Sequence, residues 1–200
     1  MSHTSSSIRS RIMEAAFSAF MQFGYEGAST SEIARLARVS KRDLYAHFPN
    51  KQAMLEACVT ERAERMRRPL ELPVPRTQSA LRQTLTDYGT TVLRELSEPE
   101  VLATFRLAIL NAEAAPAVAQ TLDRFGRSET TRALEALLSD VRGLLNDADP
   151  QTMARIFFCI LMGDLLLRLI MRVAEAPSET EALGRAELAT NCLLRLYGAA

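Results

Sequence analysis

The chain has little of what several function classes require. Its 200 residues include only three cysteines, two histidines, eight glycines and eight prolines, and its 24 lysines and arginines are balanced by 24 aspartates and glutamates. Cys58, Cys159 and Cys192 are odd in number and far apart, with no CxxC spacing and no histidine nearby. That argues against a disulfide framework and against a zinc site. Each is read as a small buried apolar side chain in a protein of the reducing cytoplasm. Zero net charge means that the chain as a whole advertises no polyanion partner. The longest apolar run, 156–170, is interrupted by Asp164 and Arg168 and falls short of the roughly 20 residues that span a bilayer, so no membrane partner is expected. Residues 1–7 are polar and serine-rich, which reads as a loose arm and not as a signal peptide. No HExxH, glycine-rich phosphate loop, paired catalytic carboxylates or nucleophile with a nearby base occurs. His3 lies in the arm and His47 in a short helix, so neither an enzyme, a metal site nor a cofactor is expected.

Sustained period-two alternation is missing as well, and glycine and proline fall at the boundaries of stretches with helical period. The chain therefore reads as all-α. The first helix covers about 8–23, with Ile8, Ile12, Ala16, Phe20 and Phe23 on one stripe and Gly24 ending it. Ser29-Thr30-Ser31-Glu32 has capping-box spacing and starts a second helix, with Ile33, Leu36 and Ala37 as its apolar face. That helix stops near Arg38-Val39, where Ser40-Lys41-Arg42-Asp43 supplies another box for a third helix running to Phe48. Pro49 breaks the chain, and Asn50 caps a fourth helix reaching about Arg68. Three prolines from Pro69 to Pro75 mark an internal boundary. Further helices are read over 77–96, 100–112 and 117–145, the last as one piece or as two broken near Gly126. Another opens at Pro150 with Asp149 as its cap and ends before Pro177, and a final helix covers 178–197.

Charge is distributed unevenly along this series. The first 51 residues hold seven cations against four carboxylates, and the remainder has the opposite imbalance. A basic head on an acidic body fits a chain of which one end meets nucleic acid. In that head, two short capped helices joined by a tight turn follow a longer amphipathic one, the composition of a helix-turn-helix. Leu44 and Phe48 are four apart and point inward, whereas Lys41 with Tyr45, and Arg42 with Ala46, project from the other side at consecutive turns. Two cations and a phenol thus share one face. Arginine or lysine reaches guanine O6 and N7 in a major groove, and a tyrosine hydroxyl binds phosphate. In isolation, Lys41 and Arg42 read first as a solvated face, Tyr45 as core packing, and His47 equally as a cap. Lys51 beside a helix N-terminus sets charge next to amide donors, an arrangement that holds a phosphate.

Residues 28–55, ASTSEIARLARVSKRDLYAHFPNKQAML, resemble the DNA-binding signature of the TetR family. Ile33-Ala34, Val39-Ser40, Leu44-Tyr45, Phe48 and Asn50-Lys51 stand where that pattern has them, and Ala15-Ala16 with Phe23-Gly24-Tyr25 extend it. The resemblance implies that Thr30 and Ser31 approach phosphates. It further implies that Lys41, Arg42, Asp43, Ala46 and His47 face the groove and that Tyr45 and Lys51 grip the backbone. Two positions depart from the pattern. Arg38 occupies a turn position that usually carries glycine, which adopts the required conformation more easily. Asp43 stands where a small or hydroxylated residue is common; a carboxylate there is unfavourable beside phosphates unless it accepts from cytosine N4 or caps the helix, and capping is the favoured reading.

FRLAILNAEAAPAVAQTLDRFG and GDLLLRLIM, farther along, look similar to the C-terminal domain of TetR relatives related to the AcrR and AefR regulators. The implied organisation is an N-terminal three-helix helix-turn-helix domain over 1–51 and a larger helical ligand-binding and dimerisation domain over 52–200. Leu161, Leu165, Arg168, Leu169 and Arg172 lie on adjoining stripes, and Leu193, Leu194 and Tyr197 sit near the end of the last helix. They suit an isologous four-helix interface, and in the family dimers form there. Asp164, four residues before Arg168, permits an ion pair within the helix or across the two-fold axis. A ligand cavity is expected among the four helices read between 77 and Pro177, lined by Leu85, Tyr88, Val92, Phe157 and Ile160 together with Phe105, Ile109, Leu122 and Phe125. Arg106 and Asn111 are placed to orient a hydrophobic or amphipathic ligand. The expected function is a homodimeric transcriptional repressor on a palindromic double-stranded operator, released by a small effector. A transcriptional activator on the same fold and a helical protein-binding adaptor are the alternatives.

Overall fold

Local capping chemistry starts most of the helices. In the computed structural model, which describes residues 7–113, 115–146 and 148–199, the Ser7, Ser29, Ser40, Thr77, Asp149 and Ser178 side chains each accept a backbone N–H at a helix N-terminus. Each satisfies a donor that the helix leaves without an internal partner. The helices are α1 (Ile8–Gly27), α2 (Thr30–Ala37), α3 (Lys41–His47), α4 (Lys51–Arg67), α5 (Gln78–Ser97) and α6 (Pro99–Leu110). They continue with α7 (Pro116–Thr121), α8 (Glu129–Asp140), α9 (Pro150–Met162), α10 (Leu165–Ile170) and α11 (Glu179–Tyr197). Among the described residues there is no strand, only an isolated bridge between Leu145 and Gly198. The fold class is all-α. Apart from Ser7, the arm expected over 1–7 lies outside the described residues.

The chain forms two compact units, one of residues up to Glu61 with Ala103–Gly126, the other of Arg62–Leu102 with the residues from Arg127 on. In the first, Ile12, Ala16, Phe20, Ile33, Leu44 and Met54 are completely buried. The α1 stripe is buried only at its centre, because Ile8 and Phe23 are 41% and 44% exposed. Gly24 breaks the backbone as expected, at φ 73°, ψ 167°, yet a further helical turn follows to Gly27. Burial of Tyr25 holds that turn, its ring 5.3 Å from that of Phe20.

The second unit is organised around α5, which packs on α11 and α9, and α8 packs on α9. Gly89 permits the approach: a Cβ there would stand 3.0 Å from the Ala186 Cβ and 3.2 Å from atoms of Leu161 and Phe157. Next to it in the chain, Tyr88 is fully buried, donates from its hydroxyl to the Thr130 carbonyl at 2.9 Å, and lies 6.1 Å from the rings of both Phe157 and Phe158. Burial pushes its phenol well above the ordinary value.

Three expectations are corrected here. Of the two forms read over 117–145 the broken one is present, with a π-helical segment, Leu122–Ser128, around Gly126, but the helix after it ends at Asp140, short of the expected 145, before a 3-10 turn, Arg142–Leu144. The wider turns of a π segment shift the register between Phe125, on the first core, and Leu134, in the second. The helix read from Pro150 to Pro177 is two helices, because Gly163 takes φ 48°, ψ −123° and Arg172 a left-handed φ of 59°. Asp164 and Arg168 are joined by a backbone hydrogen bond, Arg168 N–H to the Asp164 carbonyl at 3.1 Å, and their two side chains form no ion pair with each other. Finally, Cys159 is exposed and Cys58 and Cys192 are half-buried, so none belongs to the deep core.

Candidate nucleic-acid interface

The first short helix of the head begins with the Ser29 hydroxyl accepting the Glu32 N–H at 3.1 Å. Only this half of the expected box forms. The Glu32 carboxylate instead takes Arg35, one turn on, through Nε at 3.0 Å, and this charge-assisted pair holds the carboxyl below its usual range. The turn closes at Arg38, whose φ of 54° and ψ of 47° are left-handed, with Val39 N–H donating to the Ala34 carbonyl at 3.0 Å. The side chain at the glycine position has not changed the turn; the backbone adopts it regardless.

Ser40 starts α3 by accepting the Asp43 N–H at 3.0 Å, and its hydroxyl donates to Asp43 Oδ2 at 2.7 Å. This contact with Ser40 keeps the Asp43 carboxyl below the ordinary aspartate range. Its charge is thus directed at the helix cap. Along the seven residues of α3 the faces separate cleanly. Leu44 and the following Phe48 are 0% and 3% exposed, while Lys41, Arg42, Ala46 and His47 are exposed and Tyr45 is 49% exposed. The Tyr45 hydroxyl lies 3.0 Å from Thr30 Oγ1, which ties the start of α2 to the outer face of α3, and Ser31 is exposed beside it.

Lys51 is differently employed. Its Nζ donates to the carbonyls of Tyr25 at 2.8 Å and Glu26 at 3.2 Å and lies 4.9 Å from the centre of the Tyr25 ring. A cation at the C-terminal carbonyls of α1 satisfies the helix end and its dipole, so the ammonium is engaged within the fold. Asn50 does cap α4, its Oδ1 accepting the Ala53 N–H at 2.8 Å. Gln52, which no motif in the sequence marks, accepts from the Tyr25 hydroxyl at 3.0 Å and donates to Thr121 Oγ1 at 2.6 Å. Nor does a motif single out Arg9, stacked 5.3 Å from the Phe48 ring; the available signal is a cation at the start of an amphipathic helix.

The expected ligand lining is divided between the two units. Leu85, Tyr88, Val92 and Phe157 are fully buried in the second core and Ile160 packs on it. Leu122 and Phe125 pack on the first core, Phe105 and Arg106 are half-buried, Ile109 is 60% exposed, and Asn111 donates from its side chain to the Leu107 carbonyl. None of these borders the cavity of about 200 Å³ that opens among Arg67, Leu70, Val74, Leu137 and Asp140.

The residues expected at a dimer interface also separate. Leu161, Leu165, Leu169 and Leu193 turn into the chain's own core, so their side chains are not available to a partner. Leu194 and Tyr197 are half-buried, and Asp164, Arg168 and Arg172 are exposed. The apolar side chains left at the surface of the last helices are others, Leu167, Met171, Leu188 and Leu196, each more than half exposed. Among the described residues no group of histidine, cysteine, aspartate and glutamate can hold a metal ion, and no helix is long and apolar enough to cross a membrane.

Residues 12–58 match the bacterial regulatory proteins of the tetR family, and residues 83–199 match the C-terminal domain of AefR-like transcriptional repressors. The HTH-type transcriptional regulator YvkB of Bacillus subtilis is 27% identical over 179 residues, 84% of this chain and 88% of that protein. A TetR transcriptional regulator from Agrobacterium tumefaciens superposes with a TM-score of 0.76 at 27% identity, covering 96% of both chains. The flavonoid-responsive regulator FrrA gives a TM-score of 0.74 at 25% identity, over 96% of this chain and 97% of its own. With both domain matches in chain order on an all-helical fold, the chain belongs to the TetR family of transcriptional regulators, which bind DNA and are not enzymes.

Proposed function

We propose that this regulator is a cytoplasmic, homodimeric repressor whose α2–turn–α3 segment enters the major groove of a palindromic operator and which a small hydrophobic or amphipathic effector releases. The observation that carries the reading is the division of α3, with Leu44 and Phe48 in the core and Lys41, Arg42, Tyr45 and Ala46 outside. Residues 1–51 read the DNA. Lys41 and Arg42 meet base edges and Thr30, Ser31 and Tyr45 meet phosphates, with Ala46 and His47 along the groove wall. Residues 52–200 sense and pair.

The exposed Leu167, Met171, Leu188 and Leu196 support pairing, because side chains of this kind left on a surface favour a second copy. Asp164, Arg168, Arg172 and Tyr197 then form its polar rim. Two copies present their recognition helices about 34 to 36 Å apart, one helical turn of DNA. Repression is supported by the match to AefR-like repressors, and effector release by the likeness to a flavonoid-responsive protein. Phe105, Arg106 and Ile109 retain surface for such a ligand. Because α4 begins beside the reading helices and continues past Glu61 into the second unit, an effector that prefers a shifted α4 lowers DNA affinity by its differential affinity for that state.

Selection of bound duplexes from a random pool, with and without an extract of metabolites, tests reading and release together. The expected product is a two-fold symmetric site that is lost from the bound fraction when extract is present. A pool without enrichment contradicts DNA reading, and enrichment indifferent to every extract contradicts effector release.

A further inference from the structure

Arg38 carries a side chain that the fold of the reading head does not account for. Its backbone lies at φ 54°, in the left-handed region that costs an L-residue and costs glycine nothing. The turn is made entirely by main-chain bonds, Arg38 N–H to the Arg35 carbonyl at 3.2 Å and Val39 N–H to the Ala34 carbonyl at 3.0 Å, which glycine would make equally well. Nothing in the fold repays the side chain, since it is exposed and takes no hydrogen bond or salt bridge among the described residues. What it adds is a charge, and the position of that charge is specific. Arg35 is tied to Glu32 and Asp43 turns its carboxylate to Ser40, whereas Arg38, Lys41 and Arg42 are all exposed and lie close in sequence across the turn where α3 begins.

We infer that Arg38 is a DNA-contacting residue that grips a phosphate next to the groove α3 occupies, trading backbone strain for affinity that does not depend on sequence. This rests on the reading of α3 as the recognition helix. A guanidinium suits the role because its planar fork matches two phosphate oxygens. Such a contact positions the head on the duplex without specifying bases, so its loss is felt equally on any DNA and releases one fewer counterion.

The test compares the full-length protein with Arg38→Gly, Arg38→Gln and Arg38→Lys on two duplexes of equal length, one selected by the wild-type protein and one unrelated, over a series of salt concentrations. Both R38G and R38Q are expected to bind each duplex about fivefold more weakly at physiological salt, with the slope of log affinity against log salt reduced by about one. R38K is expected to retain the slope. R38G should melt at or above the wild-type temperature, because glycine relieves the left-handed backbone. Wild-type affinity and slope in R38G and R38Q overturn the inference, as does a lower melting temperature in R38G. Arg42→Ala, measured alongside, separates the two claims. If it weakens the selected duplex while R38G does not, only the assignment of Arg38 falls; if neither has any effect, α3 is not the recognition helix.

Discussion

Lys51 and Arg42 are both cations of the reading head, and their surroundings assign them opposite work. The Lys51 ammonium donates to two carbonyls at the end of α1 and covers the Tyr25 ring, all partners inside the head. A hydrogen bond from a charged donor contributes about 1.5 to 3 kcal/mol when enclosed and less at this half-buried position. Lys51→Ala is therefore expected to lower the melting temperature by about 2 to 4 °C, the shift that roughly 1 kcal/mol produces in a chain of this size. Thermal unfolding followed by circular dichroism reads this, and an unchanged midpoint contradicts the structural role. The role implied by family resemblance, a grip on phosphate, rested on the position of Lys51 at the start of α4. Its partners are 25 and 26 residues away in sequence, so nothing local to the motif reveals them.

Elements meet where side chains permit, and Gly89 is the clearest case. The α5 backbone approaches α9 and α11 so closely that Gly89→Val would drive two methyl groups into Ala186, Leu161 and Phe157. Overpacking of this kind costs about 1 to 3 kcal/mol. Chemical denaturation should show the midpoint falling by a corresponding amount, and a variant as stable as wild type contradicts the close packing. Helix starts were legible in the sequence because capping is local: Ser29, Ser40, Asn50 and Asp149 each act on an amide within three residues. The division of α3 was legible for the same reason, since a period of 3.6 separates Leu44 from Arg42 without knowledge of anything else. A break near Gly126 was one of two readings of the sequence, and the π segment lies there; the break at Gly163 was not legible, because it falls inside unbroken helical periodicity. Nor could periodicity tell which of two adjoining apolar stripes in the last helices faces inward. That depends on where α5 lies, and α5 is far earlier in the chain, with contacts to α11 that span more than 100 residues. Leu161, Leu165, Leu169 and Leu193, whose spacing suits a partner's surface equally well, thus belong to the core, and Leu167, Leu188 and Leu196 are the side chains left exposed.

For the whole molecule, the proposed operator with two half-sites calls for two reading heads, so pairing is expected to strengthen DNA binding. Leu188 is 56% exposed and carries little of the chain's own core. Leu188→Glu is expected to leave the helical signal intact while converting the dimer to a monomer, since the replacement sets like charges against each other across a two-fold axis. Sedimentation reads the mass; a dimer that persists moves the interface elsewhere. The monomer should also bind the operator at least tenfold more weakly, having lost the second, linked contact. The most direct measurement of the central claim compares wild type with Arg42→Ala on the selected operator and on an unrelated duplex at one salt concentration. The account predicts a loss of about 1 to 3 kcal/mol on the operator, a smaller loss on the unrelated duplex, and an unchanged melting temperature. Equal operator affinity for the two proteins would contradict it.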